Sequence, residues 1–501
     1  MIKLPACFRF RLSTRLAAAW VVMAMASLGG GCAGTPAVVP PSASSAPRAP
    51  IYPVTPAIVP RPAVVPAPLP APAANPAPTG GANVMLGIDV LTAQKFSILQ
   101  GLRVGLLTHP AGVNAAGVST IDVLRAAPGV KLVALYGPEH GIYGDHGAGD
   151  DKIPKKQIDR RTGLPIYTVY QTPEGDFRKP SPDMLQDIDV MVVDLQDLGT
   201  RSYTFISCLL CTMEACFEQN KTVVVLDRPN PLGGLKVGGP IIDEKWMSYV
   251  GAFRVPYVFG LTIGELARVA KDNPGILPNP ALLSSPVSAK LFKPSPEAWA
   301  RGKLVVVPML GWRRSMLWPD TGLKWIPTSP NIPNVFAAFG YGLTGLASAG
   351  TTTEHKAGNF GLGVGTPYPF RLLNYPNHPP AELAARLNAL KLSGLSFTPL
   401  VFGDRKDKSG VYVNILNWNA VDPTRLAFEL MKLDAVFTNP VNPYARVADP
   451  RDFNIYAGSS AWWTEITTKG HLANVDGFFK VWDAQDAAFQ QWTKKWWLYS
   501  E

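Results

Sequence analysis

The chain has 501 residues, 47% of them hydrophobic and 17% charged, with a formal charge of +10. Six basic and no acidic residues lie before residue 84, so the remaining 418 residues carry only about +4. That mild excess excludes a nucleic-acid footprint, although it suits an anionic polymer, and the length predicts two folded domains.

The N-terminus reads as an export signal. Lys3, Arg9, Arg11 and Arg15 form a positive region, and Leu16 to Leu28 is an apolar run too short to span a bilayer. Gly29-Gly30-Gly31 then precede Cys32, a pattern similar to a bacterial lipoprotein signal over residues 1–32. The expectation is an exported, periplasmic protein held at the membrane by lipid on Cys32; cleavage without lipidation is the alternative. Residues 33–83 hold 15 prolines among Ala and Val with no acid, and read as a semi-extended spacer.

Strand patterns follow at Leu102–Thr108, Lys131–Tyr136, Pro165–Tyr170, Asp189–Leu195, Thr222–Asp227 and Lys303–Pro308. Helical patterns lie at Leu91–Gln100, Ser119–Ala126, Phe205–Glu218 and Thr262–Lys271. Apolar strands alternating with helices predict a Rossmann-like, mostly parallel α/β domain over 84–310. No G-x-G-x-x-G opens a helix after the first strand, so no dinucleotide cofactor is expected, nor any other. From Gly311 to residue 501, Pro-rich loops and helical patterns at Ala381–Leu392, Thr424–Leu433 and Val481–Trp497 predict a smaller α+β domain. Cys208, Cys211 and Cys216 share one helical face without a second Cys or His cluster, and read as buried small hydrophobes.

In an open α/β sheet, ligands bind beyond the carboxyl ends of the strands. The second strand ends in Gly137-Pro138-Glu139-His140-Gly141, a turn carrying an acid and an imidazole. Asp194-Leu195-Gln196-Asp197 closes another strand and is followed by Arg201, Tyr203 and Thr204. Leu226-Asp227-Arg228-Pro229-Asn230-Pro231 closes the next, and Thr108-His109-Pro110 the first. Converging carboxylates, amides and arginines suit a polar anionic ligand such as a sugar acid. Capping and turn roles are the plain alternative for each cluster. His140 and His146 with Asp145, Asp150 and Asp151 match no standard metal spacing, and no metal is expected.

These motifs resemble the YbbC/NamZ family of bacterial exo-β-N-acetylmuramidases. The likeness runs from Gly87-Ile88-Asp89 to Trp497-Leu498-Tyr499. Its motifs include Gly137–Gly141, Asp194–Thr204, Leu226–Pro231, Gly311-Trp312-Arg313-Arg314-Ser315-Met316, Thr328-Ser329-Pro330-Asn331-Ile332-Pro333 and Asp452-Phe453-Asn454-Ile455. The resemblance implies a glycosidase releasing N-acetylmuramic acid from non-reducing ends of peptidoglycan fragments. Glu139 is then the expected general acid, with His140 tuning or positioning it. A second carboxylate would come from Asp194, Asp197 or Glu354, unless the substrate's 2-acetamido group is the nucleophile. Arg201 and Arg228 would hold the lactyl carboxylate. Asp227 falls at the same edge, and Tyr203, Asn230, Ser329 and Asn331 would read hydroxyls and amides. The stretch from Gly345 to Phe370 lacks the family's leading Glu and its Arg, so a non-catalytic wall-binding lipoprotein is the second expectation.

Overall fold

The computed structural model describes residues 84–348, 358–401, 409–447 and 449–501. Cys32 and Glu354 lie outside them. Continuous apolar runs form the parallel strands, because a strand covered on both faces has no side to leave polar. In chain order these are β1 (Arg103–Thr108), β2 (Lys131–Gly137), the short β3 (Lys156–Ile158) and β4 (Pro165–Thr168). The two-stranded ribbon β5 (Gln171–Thr172) and β6 (Gly175–Asp176) precedes β7 (Val190–Asp194), β8 (Thr222–Leu226) and β9 (Leu304–Val307). The main sheet runs β3-β4-β2-β1-β7-β8-β9, parallel except where β3 pairs antiparallel with β4. Helices Thr120–Ala126 and Phe205–Glu218 make the crossovers β1→β2 and β7→β8.

The order matters for function. The chain moves outward from β1 through β2 to β4, then returns to lay β7 on the other side of β1. The strand direction of growth therefore reverses at β1/β7. At such a reversal, loops leave the sheet in opposite directions and ligands commonly bind; Glu139, His109 and Asp197 follow β2, β1 and β7.

A second, antiparallel sheet, β10 (Leu372–Leu373), β11 (Leu395–Leu400) and β12 (Gly410–Ile415), has the order β10-β12-β11. With helices such as Val335–Thr344, Arg425–Phe437 and Val475–Thr493 it gives the smaller α+β part. The α/β sheet followed by an α+β part is the expected fold class. Cys208, Cys211 and Cys216 are all buried in the helix Phe205–Glu218, where burial pushes the Cys208 and Cys216 thiols up to about 12.

The C-terminal residues stitch back onto the main sheet. Tyr499 donates its hydroxyl to Asp227 at 2.5 Å and accepts the Met309 amide. Leu498 N–H donates to Glu265 at 2.8 Å, and Glu265 forms a fully buried ion pair with Arg314. An unpaired buried charge is costly, so Glu265 and Arg314 stand or fall together.

Candidate active site

Glu139 is a half-buried carboxylate just past the end of β2. β2 ends at Gly137, and Pro138 starts a turn closed by the Gly141 amide donating to the Pro138 carbonyl. His140 adopts φ +74° inside that turn, a left-handed conformation that costs a non-glycine residue energy and concentrates at functional sites. Three donors fix the Glu139 carboxylate. Oε1 accepts the Tyr170 hydroxyl and the Gly149 amide, both at 3.0 Å, and Oε2 accepts the Thr204 hydroxyl at 2.7 Å. Thr204 is the N-cap of Phe205–Glu218, yet its side chain serves Glu139 rather than its own helix. The carboxylate thus sits at a positive helix end.

His140 follows Glu139 past β2, and Asp197 lies just past β7. His140 Nδ1 donates to the His146 carbonyl at 3.0 Å, which leaves Nε2 as the ring's other working atom. Asp197 is buried; its Oδ2 accepts the Gly199 amide at 2.7 Å, and Oδ1 has no partner among the described residues. Burial pushes this carboxyl up to about 7, against the pull of the Gly199 and Leu198 amides. The Tyr203 phenol feels both Asp197 and Glu139, and burial raises it well above its ordinary value. Tyr456, on the helix Arg451–Ala457, enters the same field; burial and then Glu139 raise its phenol. His109 accepts the Gln196 amide on Nε2 at 2.9 Å, so its proton is on Nδ1. Burial, then Arg228, hold it well below the usual imidazole value. It is a neutral ring edge-on to Phe205, 4.7 Å between centroids.

The remaining expected residues are engaged in the fold. Arg228 binds Asp194 through two nitrogens, at 2.6 and 2.9 Å, and donates to the Val113 carbonyl. Asp194 also accepts Thr120 at 2.5 Å. Arg201 is fully buried and donates to the carbonyls of Pro240, Val255 and Tyr456 at 2.6, 3.1 and 2.9 Å. Both guanidinium groups expected to hold a substrate carboxylate are thus occupied by the protein itself. Asp227 accepts Arg228 N–H, Gly264 N–H, Thr262 and Tyr499, and burial raises it to about 6. Asn230 bridges Leu261 and Leu232. Against it Gly199 runs at φ +74°, where a Cβ would come within 2.3 Å of the Asn230 oxygen. Ser329 is buried and accepts the Asn331 amide in a turn. That turn follows Thr328, which is buried.

The structure therefore brings Glu139, His140, Asp197 and Tyr203 together and adds Tyr170, Thr204, Gly149, His109 and Tyr456. Tyr170 closes an expected strand and Thr204 closes the Asp194–Thr204 motif, so both carried a positional signal. Gly149 and Tyr456 carried none. His146 lies 3.5 Å from Asp145 and 3.2 Å from Asp150, a small polar cluster of its own.

The sequence matches the family models described as "Exo-beta-N-acetylmuramidase NamZ, N-terminal" over residues 104–336 and "Exo-beta-N-acetylmuramidase NamZ, C-terminal" over 346–499. The chain is 39% identical over 319 residues to the peptidoglycan β-N-acetylmuramidase NamZ of Bacillus subtilis (strain 168), which covers 64% of this chain and 68% of that protein. The fold is similar to that of a DUF1343 family protein (BF0371) from Bacteroides fragilis NCTC 9343. There the TM-score is 0.69 and the identity 36%, with 84% of this chain and all of that one covered. A second protein of that family and organism (BF0379) shares the fold at TM-score 0.56 and 23% identity, again over 84% of this chain and all of the other.

Proposed function

Because the chain belongs to the NamZ family of exo-β-N-acetylmuramidases, we propose that it hydrolyses the glycosidic bond of N-acetylmuramic acid at the non-reducing ends of peptidoglycan fragments. It is a glycoside hydrolase of peptidoglycan by descent. The observation that carries the reading is Glu139, a half-buried carboxylate aimed by three donors at the topological switch point. A positioned carboxyl there protonates the leaving glycosidic oxygen as the anomeric carbon gains oxocarbenium character. The non-catalytic wall-binding alternative is not favoured, since the motif acid and its supporting donors are all present.

Asp194 and Asp227, two acids of the same edge, are locked by Arg228 and by four donors. Asp197 has no water-accessible free oxygen. These observations take Asp194, Asp197 and Asp227 out of the nucleophile's role, leaving Glu354, outside the described residues, or the substrate's 2-acetamido oxygen, and the course proposed uses that oxygen. It attacks the anomeric carbon while Glu139 gives its proton to the departing oxygen. Water then opens the cyclic intermediate and returns a proton to Glu139, with net retention. An inverted product anomer in a time-resolved NMR assay would exclude this course.

The reading extends to location. The basic stretch Lys3–Arg15, the apolar run Leu16–Leu28 and Cys32 support export with a lipid on Cys32. The 33–83 spacer would let the folded part reach from the membrane toward the wall. The decisive assay offers the protein 4-nitrophenyl N-acetyl-β-muramide and the matching glucosaminide. Release from the muramide alone supports the proposal, and a folded protein inert toward muramides refutes it.

A further inference from the structure

Arg178 was no part of the expected site, yet it lies one residue's reach from the catalytic carboxylate. It follows the β5–β6 ribbon, whose register is set by Phe177 N–H donating to the Tyr170 carbonyl. Its guanidinium rests against two tilted aromatic rings that also touch each other, with centroids 5.9 Å apart, and lies 5.1 Å from the Tyr170 ring and 4.8 Å from the Tyr249 ring. The fork is held in that slot by Asp176 at 3.0 Å and Gln171 at 3.3 Å. The Tyr170 hydroxyl donates to Glu139 Oε1 at 3.0 Å. Cation, ring, hydroxyl and catalytic carboxylate form one line of contact.

We propose that Arg178 is a positioning residue for the glycosidase reaction, acting on Glu139 through the ring and hydroxyl of Tyr170. The inference rests on the functional reading above and deepens it. A cation over a phenol face draws electron density from the oxygen and makes its O–H a better donor. Burial and the Glu139 charge raise the Tyr170 phenol, and Arg178 pulls it back. Tyr170 therefore stays protonated and always has a hydrogen to give. Packed against Tyr249 on one side and Arg178 on another, the ring is held in the plane that aims that hydrogen at Oε1. A ring free to tilt would present it elsewhere, and Glu139 would lose one of its three restraints. Arg178 reaches Glu139 only through Tyr170.

The test is a double-mutant cycle on the full protein with the muramyl disaccharide, using Arg178→Gln, Tyr170→Phe and the pair, read as kcat and, without substrate, as the urea midpoint. Arg178→Gln is expected to lower kcat about 3–10-fold, the scale of a partly buried cation–π contact. In the Tyr170→Phe background, with no hydroxyl to polarise or aim, the same change should cost less than about 2-fold. Arg178→Lys keeps a cation over the ring but loses the fork to Asp176 and Gln171, and should recover most of the lost kcat with KM unchanged. Equal costs in the two backgrounds, or a Lys variant no better than Gln at matched folding, overturn the proposal and leave Arg178 as a support for the ribbon. A rise in KM for muramides alone overturns it in favour of direct substrate contact. A wild type inert toward muramides sinks the functional reading instead. The pair is then judged on the urea cycle, where coupling between Arg178 and the Tyr170 hydroxyl is expected and strict additivity refutes it.

Discussion

Replacing Glu139 by Gln separates chemistry from architecture at this site. The amide oxygen can occupy the Oε1 position and keep both the Tyr170 and Gly149 hydrogen bonds. The amide nitrogen then faces Thr204, a hydroxyl that can turn from donor to acceptor. All three contacts survive with one reversed, so the unfolding free energy should change by less than about 1 kcal/mol. What is lost is a transferable proton. A positioned general acid contributes about 10²–10⁴ in rate, or roughly 2.7–5.4 kcal/mol at 1.36 kcal/mol per decade. The kcat on a muramyl disaccharide should fall by that factor. On a 4-nitrophenyl muramide, whose leaving group needs little protonation, the loss should be much smaller. Steady-state kinetics on both substrates, with circular dichroism to certify folding, decide the matter. Full activity of the variant on the disaccharide would refute the assignment, and an equal loss on both substrates would make Glu139 something other than the acid.

Arg201→Lys should act on stability rather than affinity. It strips the fork from three buried carbonyls, so a loss of roughly 2–4 kcal/mol in urea unfolding is expected, with KM of the folded fraction unchanged; a KM rise at full stability would restore the substrate-carboxylate role. Asp197 holds its proton to about pH 7 when folded but only to about 3.8 when unfolded. Between those values the native state binds more protons, so this group makes stability fall as pH rises. Asp197→Asn should therefore flatten the decline in urea midpoint between pH 4 and pH 7, and an unchanged slope would count against the assignment. Cys32→Ser should shift the protein from the membrane to the soluble fraction of fractionated cells, whereas a wild type already soluble would remove the anchor.

The main sheet was readable because each strand is an unbroken apolar run between turn residues. The first helix was expected from Leu91 but starts at Gly87, which packs so closely on the end of β8 that a Cβ would meet Asp227 N at 2.5 Å. It stops early because Lys95 and Phe96 turn left-handed. β11 left no comparable signal, since Ser396, Thr398 and Pro399 interrupt its apolar pattern, whereas the short Gly-Val-Tyr-Val-Asn-Ile run of β12 is β-prone and mostly buried, a strand signal missing from the expected elements. At the site, Glu139 was legible from its place at a strand end. The tasks of Arg201 and Arg228 were not, because their acceptors include main-chain oxygens that any residue type would supply. One of these, at Tyr456, is 255 positions away from Arg201. Local spacing cannot encode such a partner.

That distant grip bears on how such a protein is inherited. Arg201 belongs to the N-terminal family segment and Tyr456 to the C-terminal one, and their contact runs through a peptide carbonyl. The seam is therefore blind to which side chain stands at 456 and strict about where the backbone passes. The grip on Arg201 is thus independent of the residue type at 456, whereas a chimaera that shifts the helix Arg451–Ala457 strands a buried cation. The two segments should recombine poorly across lineages and travel as a fixed pair.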